Sequence, residues 1–533
     1  MVRQKFDNTF RCYGKFKKSL RAFRIHSTEK SEITWQETMA IEWDDLPKEI
    51  RLLILEALIQ DGCSLGPLAT VSREWQTKIE QHNFARIKVT RTRLPDLNWM
   101  THRNRALIRY IWFCLELEDY DCTGCKSYMP SFNGELVKSH DRDSDYHNTV
   151  TGALNYLFWL LSADSDHWFK YLTFMPDMPS DRLVGDSIEE VISNRTYHDP
   201  QHDWVSGVRR YAPPEKAFRR VFRTIKPFWA QLPPVPAVTS LLLRQQTRRA
   251  WTQQSLVQMF SCFPRLQEIH YEPWRLNMDL EGGFYDAGER TAEQLPTLLF
   301  TLNFRYTFDS LKSSNNNLKR LVVFENFNQH YPHPGEYNTP RNPHPSSSGA
   351  LAMVSRRLEH LAASFVVEAS HFFDLYSPRA TWPMLTSLVL TSNLLTPVTR
   401  PAKIAAMLED ATATAMRMPK LETLEIWNGR KGLAALFQYQ ASRNIRPATI
   451  TWRGTWELAM EPAVIQAWEA VARRHGGWRL DLVRERLEGA DIMSHGDAIH
   501  HLKLAGQVIR PISLLQIRAE HEVLEGFSAA DYS

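Results

Sequence analysis

At 533 residues the chain has room for two to four domains or for one extended repeat array. Its composition, 43% hydrophobic and 23% charged, is ordinary for a globular protein with a sizeable core, and a formal net charge of +4 is too mild to argue for nucleic acid as a partner of the whole protein. The longest apolar run, ALNYLFWLLSA from Ala153 to Ala163, falls well short of the roughly 20 residues that span a bilayer, so no membrane partner is expected.

The first thirty residues carry nine Lys or Arg against two acids, Asp7 and Glu29. Residues 1–42 read as a basic disordered tail or as residues upstream of a later start at Met39; a basic, acid-poor start is also compatible with a transit peptide. From Trp43 to about Lys88 the pattern is three short helical segments. Asp44 and Asp45 suit a helix N-terminus and Pro47 suits its first turn. The first helix runs to about Gln60 and stops at Asp61-Gly62; LGPLATVSREWQ (Leu65–Gln76) supplies a second and begins a third that continues to Ile87. On a helical wheel of the first segment, Leu46, Ile50, Leu53, Ile54 and Ala57 share one side, while Leu52, Leu55 and Ile59 cluster nearly opposite. A domain of about 45 residues buries one such stripe and struggles to bury two. The Leu52 stripe is therefore expected to meet either a partner or the adjoining C-terminal part of the chain.

Beyond residue 100 the rhythm changes. RYIWFCLEL (Arg109–Leu117) and AVTSLLL (Ala237–Leu243) read as strands. PRLQEIHY (Pro264–Tyr271), PMLTSLVL (Pro383–Leu390) and PKLETLEI (Pro419–Ile426) share P-x-L-x-x-[LI]-x-[LYI], and LKRLVVF (Leu318–Phe324) and LEHLAASF (Leu358–Phe365) share the L-x-x-L opening. Helical segments precede several of them, as in TQQSLVQMFSCF (Thr252–Phe263) and AKIAAMLEDATATAMRM (Ala402–Met418). Alternate strand residues point to one face, so stacked phrases would build a continuous apolar ridge. The spacing is irregular, however, since regular leucine-rich repeats recur every 20–29 residues. The fold class expected is α/β: an N-terminal trihelical segment, then an irregular leucine-rich-repeat-like solenoid of alternating short strands and helices; unrelated α/β layers are the alternative. The domains are drawn as 1–42 tail, 43–90 trihelical, 91–235 connecting with the first irregular repeats, and 236–533 repeat domain, with a disordered insertion at 328–349 (NQHYPHPGEYNTPRNPHPSSSG). Near the end, EPAVIQAWEAVARRH reads as a helix, WRLDLV as a strand, LLQIRAEHEV as a segment closing or capping the array, and FSAADYS as a frayed tail.

Chemistry-bearing motifs are sparse. Cys122 and Cys125 have the spacing of half a zinc site that His140 or His147 could complete, but no second Cys pair follows, and two turn cysteines are the plainer reading. His330, His333 and His344 fall in the insertion and read as solvated, as do the acids Glu118 to Asp121. RRYAPPEKAFRRVFRTIK (Arg209–Lys226) is a basic run whose bland reading is a solvated helix face. Six Cys without framework spacing read as reduced thiols, which places the chain in the cytoplasm and/or nucleus. No G-x-S-x-G, P-loop, dinucleotide fingerprint or H-E-x-x-H occurs, so a non-catalytic protein without cofactor or metal is expected.

WDDLPKEIRLLILEAL followed by LGPLATVSREWQ resembles the F-box motif: a Leu-Pro-x-Glu-[Leu/Ile] opening, a Leu/Ile-rich helix and a Val-Ser-[Arg/Lys]-x-Trp element. The matching residues include Leu46, Pro47, Glu49, Ile50, Val71, Ser72, Arg73 and Trp75; QDGCSLGP between the first two helices is looser than the usual turn. The chain also looks like the large F-box families of filamentous fungi. The resemblance implies docking on a Skp-family adaptor and, through it, on a cullin–RING ubiquitin ligase, with the C-terminal part presenting a protein substrate. By carry-over, Leu46, Pro47 and Ile50 would contact the adaptor, with Leu53, Ile54, Val71 and Trp75 in the trihelical packing or its rim. A scaffold bound to the adaptor without a degradation role, or a nucleic-acid-binding C-terminal part tethered by an F-box, are the alternatives.

Overall fold

The phrases that open on a leucine become strands. In the computed structural model, described residues are 43–60, 65–100, 102–116, 140–162, 171–177, 204–205, 208–209, 225, 232–245, 251–275, 304–311, 317–327, 343, 345–374, 380–441, 447–476 and 479–525, without the side chains of 116, 140–147, 171–177, 204–205, 208–209 and 519–525. They fall into two units, one drawn from 1–88 and 99–111, the other from 89–98 and 112–533.

The first unit opens on a short turn of helix, Trp43–Asp45, and continues into α1 (Lys48–Gln60), α2 (Leu65–Leu68) and α3 (Arg73–Ala85). The third helix stops short of the expected Ile87: strand β1 takes over at Arg86 and runs to Thr90. β-branched Ile87, Val89 and Thr90 in RIKVT favour the extended backbone there. Strand β2 spans Tyr110–Glu116, of which the residues from Trp112 on belong to the second unit.

The second unit is a mixed α/β layer with an open sheet. Strands β3 (Tyr171–Asp177), β6 (Ser240–Leu243), β7 (Glu268–Tyr271), β8 (Arg320–Phe324), β9 (His360–Ser364), β10 (Ser387–Thr391), β11 (Thr423–Arg430), β12 (Leu433–Gln440), β13 (Ala448–Gly454) and β14 (Leu480–Arg486) lie side by side in chain order. Two short strands, β4 (Trp204–Val205) and β5 (Val208–Arg209), pair only with each other. From β3 to β11 every neighbouring pair is parallel. An antiparallel meander, β11–β12–β13, then interrupts the series, turning at Gly432 with φ +72, and β13–β14 is parallel again.

The register puts corresponding residues of each phrase opposite one another. Leu241, Ile269, Leu321, Leu361, Leu388 and Leu424 form one cross-strand row. The leading leucines Leu266, Leu318, Leu358, Leu385 and Leu421 are buried as well. Each strand enters the sheet in the same way: a single carbonyl of the preceding strand's entrance accepts two successive N–H groups. Thr239 O takes Gln267 and Glu268, Gln267 O takes Lys319 and Arg320, Lys319 O takes Glu359 and His360, Glu359 O takes Thr386 and Ser387, and Thr386 O takes Glu422 and Thr423, all at 2.7–3.3 Å. The backbone thus repeats where the sequence spacing does not.

Between strands the chain crosses over through helices, as parallel pairing requires. These are α6 (His140–Ser162), α7 (Gln253–Ser261), α8 (Pro345–Ser355), α9 (Ala369–Phe373), α10 (Pro401–Ala415) and α11 (Pro462–Arg474), following α4 (Leu94–Trp99) and α5 (His102–Arg105) earlier in the chain. On this side of the sheet Phe437 and Tyr439 of β12 pack on Trp468 of α11, with ring centroids 5.2 and 4.9 Å apart. The helix α8 corrects the end of the expected insertion. Pro345–Gly349 are helical, with Ser347 and Ser348 buried, because Pro345 at the first position and the apolar GALAMV beyond it favour a packed helix over a loop. Residues 328–342 lie outside the described ones, as do 1–42, the cysteines Cys122 and Cys125, Glu118 to Asp121, most of Arg209–Lys226, and His330, His333 and His344.

The opposite face of the sheet is not left open. Its middle row, with Val322, Ala362 and Val389, is buried under the chain's own C-terminal residues. Ile492, then α12 (His495–Leu502) with Ala498, Ile499 and Leu502, then Val508 and Ile509, close over this row and over Trp427 and Leu436. A last helix, α13 (Pro511–Glu525), follows. The segment LLQIRAEHEV, expected to close or cap the array, lies over this covered face, with Ile517 in the same cluster as Ile499 and Leu502. Ser513 bonds to Gln245 and Glu272, just past the ends of β6 and β7, so α13 lies toward the opposite end of the strand order from β14. Alternation explains why: Val322, Ala362 and Val389 make the second face as apolar as the first, and an apolar face needs a cover.

Candidate functional site

Three short helices enclose the small core of the first unit. Leu55 of α1 and Trp75 and Ile79 of α3 are buried, and Trp43, Leu58, Leu65, Leu68 and Ala69 pack against them. Ser72 starts α3 with its side chain accepting the N–H of Trp75 at 3.3 Å. The indoles of Trp43 and Trp75 lie 5.0 Å apart, and the Trp43 Nε1 donates to Glu74 Oε2 at 3.2 Å. Arg51 Nε sits 3.3 Å from Glu74 Oε1 and Lys78 Nζ 2.8 Å from Glu56 Oε1, tying α1 to α3 along the margin. The Val-Ser-Arg-Glu-Trp element thereby has a physical role for each end: Ser72 is the cap and Trp75 the core.

This closure settles which stripe of α1 is turned outward, and it is the reverse of the expected one. Leu55 goes into the core and Leu52, Leu58 and Ile59 are at least half-buried around it. Pro47, Ile50, Leu53 and Ala57 are exposed, with Ile50 at 41% and Leu53 at 60%, while Leu46 and Ile54 are half-buried. The physical reason lies in α3: Trp75 and Ile79 offer apolar bulk to one side of α1 only. Of the seven carried-over residues, Trp75 alone is in the core. Leu53 and Val71, the latter 59% exposed, stand at the surface. The spacing 47, 50, 53 and 57 keeps three of the carried-over residues and the exposed Ala57 on one face.

In the second unit the polar groups of the covered face are used to hold the cover. Glu425, buried in β11, accepts the N–H of Ala505 at 2.8 Å, that of Gly506 at 2.9 Å and the Gln438 Nε2 amide at 2.7 Å. Burial pushes its carboxyl above the usual range. Glu272 accepts the N–H of Arg510 at 2.9 Å and the Ser513 hydroxyl at 2.6 Å. His495 packs on Phe327 with centroids 4.3 Å apart and its Nε2 lies 2.8 Å from Asn326 Oδ1. At the strand entrances on the same face, Glu268 bonds to His270 Nε2 at 2.8 Å and to the Ser240 hydroxyl at 3.1 Å, with Arg320 Nε at 3.5 Å. Those partners, His270 first, hold its carboxyl down at about 2. Sequence reasoning missed Glu425 and Glu272, since an acid at an alternating strand position normally signals solvent. Their signal was the apolar company on both sides, as in LETLEIW.

Among the described residues no group of three His, Cys, Asp or Glu is placed to hold a metal ion, and no helix is long and apolar enough to cross a membrane. Cys114 and Cys262 are buried, unbridged thiols. Residues 313–510 match the model of a family of unknown function, DUF6546. The match covers β8 to β14 and the covering segment as far as Arg510, the residue whose N–H rests on Glu272. No curated protein matches the chain.

Proposed function

We propose that the chain is the substrate-recognition subunit of a Skp–cullin–F-box ubiquitin ligase. The trihelical unit docks on a Skp-family adaptor and the strand–helix array, read as an irregular leucine-rich repeat, carries a protein substrate. The observation that carries this reading is the outward stripe of Pro47, just before α1, with Ile50 and Leu53 on it. It stands over a core already closed by Leu55, Trp75 and Ile79 and beside a Val-Ser-Arg-Glu-Trp element that resembles the F-box. Leaving aliphatics such as Ile50 and Leu53 in water forgoes about 1.5–3 kcal/mol each, a cost that a partner surface recovers. The chain then works without chemistry of its own, by holding substrate near a ubiquitin-charged enzyme and raising its effective concentration.

Capture by an immobilised Skp-family adaptor tests the docking. Leu46→Ala combined with Pro47→Ala, and separately Leu53→Asp, are expected to weaken capture at least tenfold while the melting temperature stays within a few degrees. Capture equal to that of the wild type would remove the docking assignment. Co-purification of a cullin, with ubiquitinated proteins accumulating under proteasome block, separates a degradation receptor from a scaffold.

A further inference from the structure

We propose that the open edge of β14 is a docking site for an extended segment of another polypeptide. That segment adds to the sheet as a further strand and sets two acids, at alternate positions, opposite Arg484 and Arg486. β14 ends the strand order, and no described strand lies beyond it. The Ala448 N–H donates to Arg479 O at 2.9 Å and the Leu487 N–H to Gly454 O at 2.9 Å, so at both ends of β14 an odd-numbered residue faces β13. The register runs unbroken from Ala448 beside Leu480 to Gly454 beside Arg486, which carries that parity through the strand. The N–H and C=O groups of Leu480, Leu482, Arg484 and Arg486 therefore point away from the sheet, where no described residue bonds to them.

Open edges are usually blunted by shortness, proline or a bulge. β14 has seven residues, no proline and no bulge, and Leu482 to Arg486 are all exposed. Its charges are sorted by face. Asp481 and Glu485 stand on one side of the sheet and are matched in place, by Arg479 at 2.7 Å and by Arg453 at 2.6 Å. Leu480, Leu482, Arg484 and Arg486 stand on the other, the middle two beside Ile450 and Trp452 of β13. Among the described residues neither Arg484 nor Arg486 has an ion pair. A second copy of the chain does not supply the missing charge. Two-fold pairing of β14 with itself sets even-numbered residues opposite even-numbered ones, and these four include no acid. The complement is a strand of another protein with aliphatic side chains opposite Leu480 and Leu482 and Asp or Glu opposite the two arginines. Backbone bonds supply the hold, and the alternate side chains supply the choice. Docking there uses no residue of the first unit.

Fluorescence anisotropy on the full-length chain tests this. The labelled peptides TETETVTVT and TVTVTETET serve as probes for the two strand directions, with TKTKTVTVT and TVTVTKTKT as controls. At least one acidic peptide is expected to bind the wild type about tenfold more tightly than its lysine counterpart. With that peptide bound, hydrogen exchange slows at the Leu482 and Arg484 amides and is unchanged at Val483 and Glu485, whose N–H groups already face β13. Leu482→Pro removes one outward N–H and no bond to β13, and is expected to weaken binding about tenfold. Arg484→Glu combined with Arg486→Glu is expected to exchange the preference, so that the lysine peptide binds the more tightly; that reversal reports on charge rather than on folding. Equal binding of acidic and lysine peptides by the wild type, binding left intact by Leu482→Pro, or self-association of the chain through β14 in place of peptide binding overturns the proposal. Adaptor capture by these variants is expected to equal that of the wild type, so failure at this edge is distinguishable from failure of the first unit's docking.

Discussion

Two acids on one face of the sheet titrate in opposite directions, and the cause is what each one touches. Glu268 is held at about 2 by His270, Ser240 and Arg320, against an ordinary value near 4.5. A lowered folded value means that its contribution is complete above the ordinary value and is lost as pH falls toward 2, on the order of 2 kcal/mol once partial exposure is allowed for. In urea titrations across pH 2–6, the wild type is therefore expected to outlast Glu268→Gln above about pH 5 and to converge with it near pH 2. Glu425 is displaced upward by burial, so its ionisation works against the fold as pH rises past the ordinary carboxylate value. It is retained because three donors converge on it. Glu425→Gln presents an amide NH₂ to N–H groups that already donate, and is expected to cost about 1–3 kcal/mol in urea midpoint experiments. In the first unit, Trp75→Ala is expected to cost about 3–5 kcal/mol and Leu53→Ala within about 0.5 kcal/mol, as thermal melts would show, because one side chain is core and the other surface.

At the scale of elements, the strands were legible because the L-x-x-L-x-L phrase states its own period. All eight strand-like phrases read from the sequence contain or become strands, from RYIWFCLEL at β2 to WRLDLV at β14. The meander β12 and β13 was not read. LAALFQYQ has apolar residues at both parities, and only Gly432 in its left-handed conformation marks the turn before it. The covering role of 489–518 was equally hidden, since nothing local in KLAGQVIR says that its backbone will lie across Val389 and Glu425. That approach leaves a trace at Gly506, where an added Cβ would stand 2.5 Å from Val389 Cγ2. Gly506→Ala is accordingly expected to cost about 1–3 kcal/mol and to loosen α12 in hydrogen exchange. On α1 the wheel showed two stripes and the expectation turned the Leu52 one outward, because the choice depends on Trp75 and Ile79, some twenty residues away.

At the scale of the second unit, the stretch that matches the family of unknown function cannot be the whole of a folding body. β8 pairs along its length with β7, which lies outside 313–510, and Arg510 rests on Glu272, which lies outside as well. A fragment of 313–510 loses the β7 partner of β8 and leaves the Arg510 N–H unsatisfied, whereas one of 232–525 keeps both and moves the open edge out to β6; the shorter fragment is expected to melt well below the longer one, which thermal denaturation compares. The shared carbonyls at the strand entrances carry a further consequence. Each new strand is indexed to its predecessor by two bonds, one from the residue before it and one from its first residue, whatever the length of chain that came between. The array therefore counts entrances rather than residues. Matching leucines 52, 40, 27 and 36 positions apart, from Leu266 through Leu318, Leu358 and Leu385 to Leu421, arrive in one register. A lineage of such chains is free to lengthen or trim its crossovers without re-phasing the sheet. Related sequences should then differ in length between the strands far more than within them.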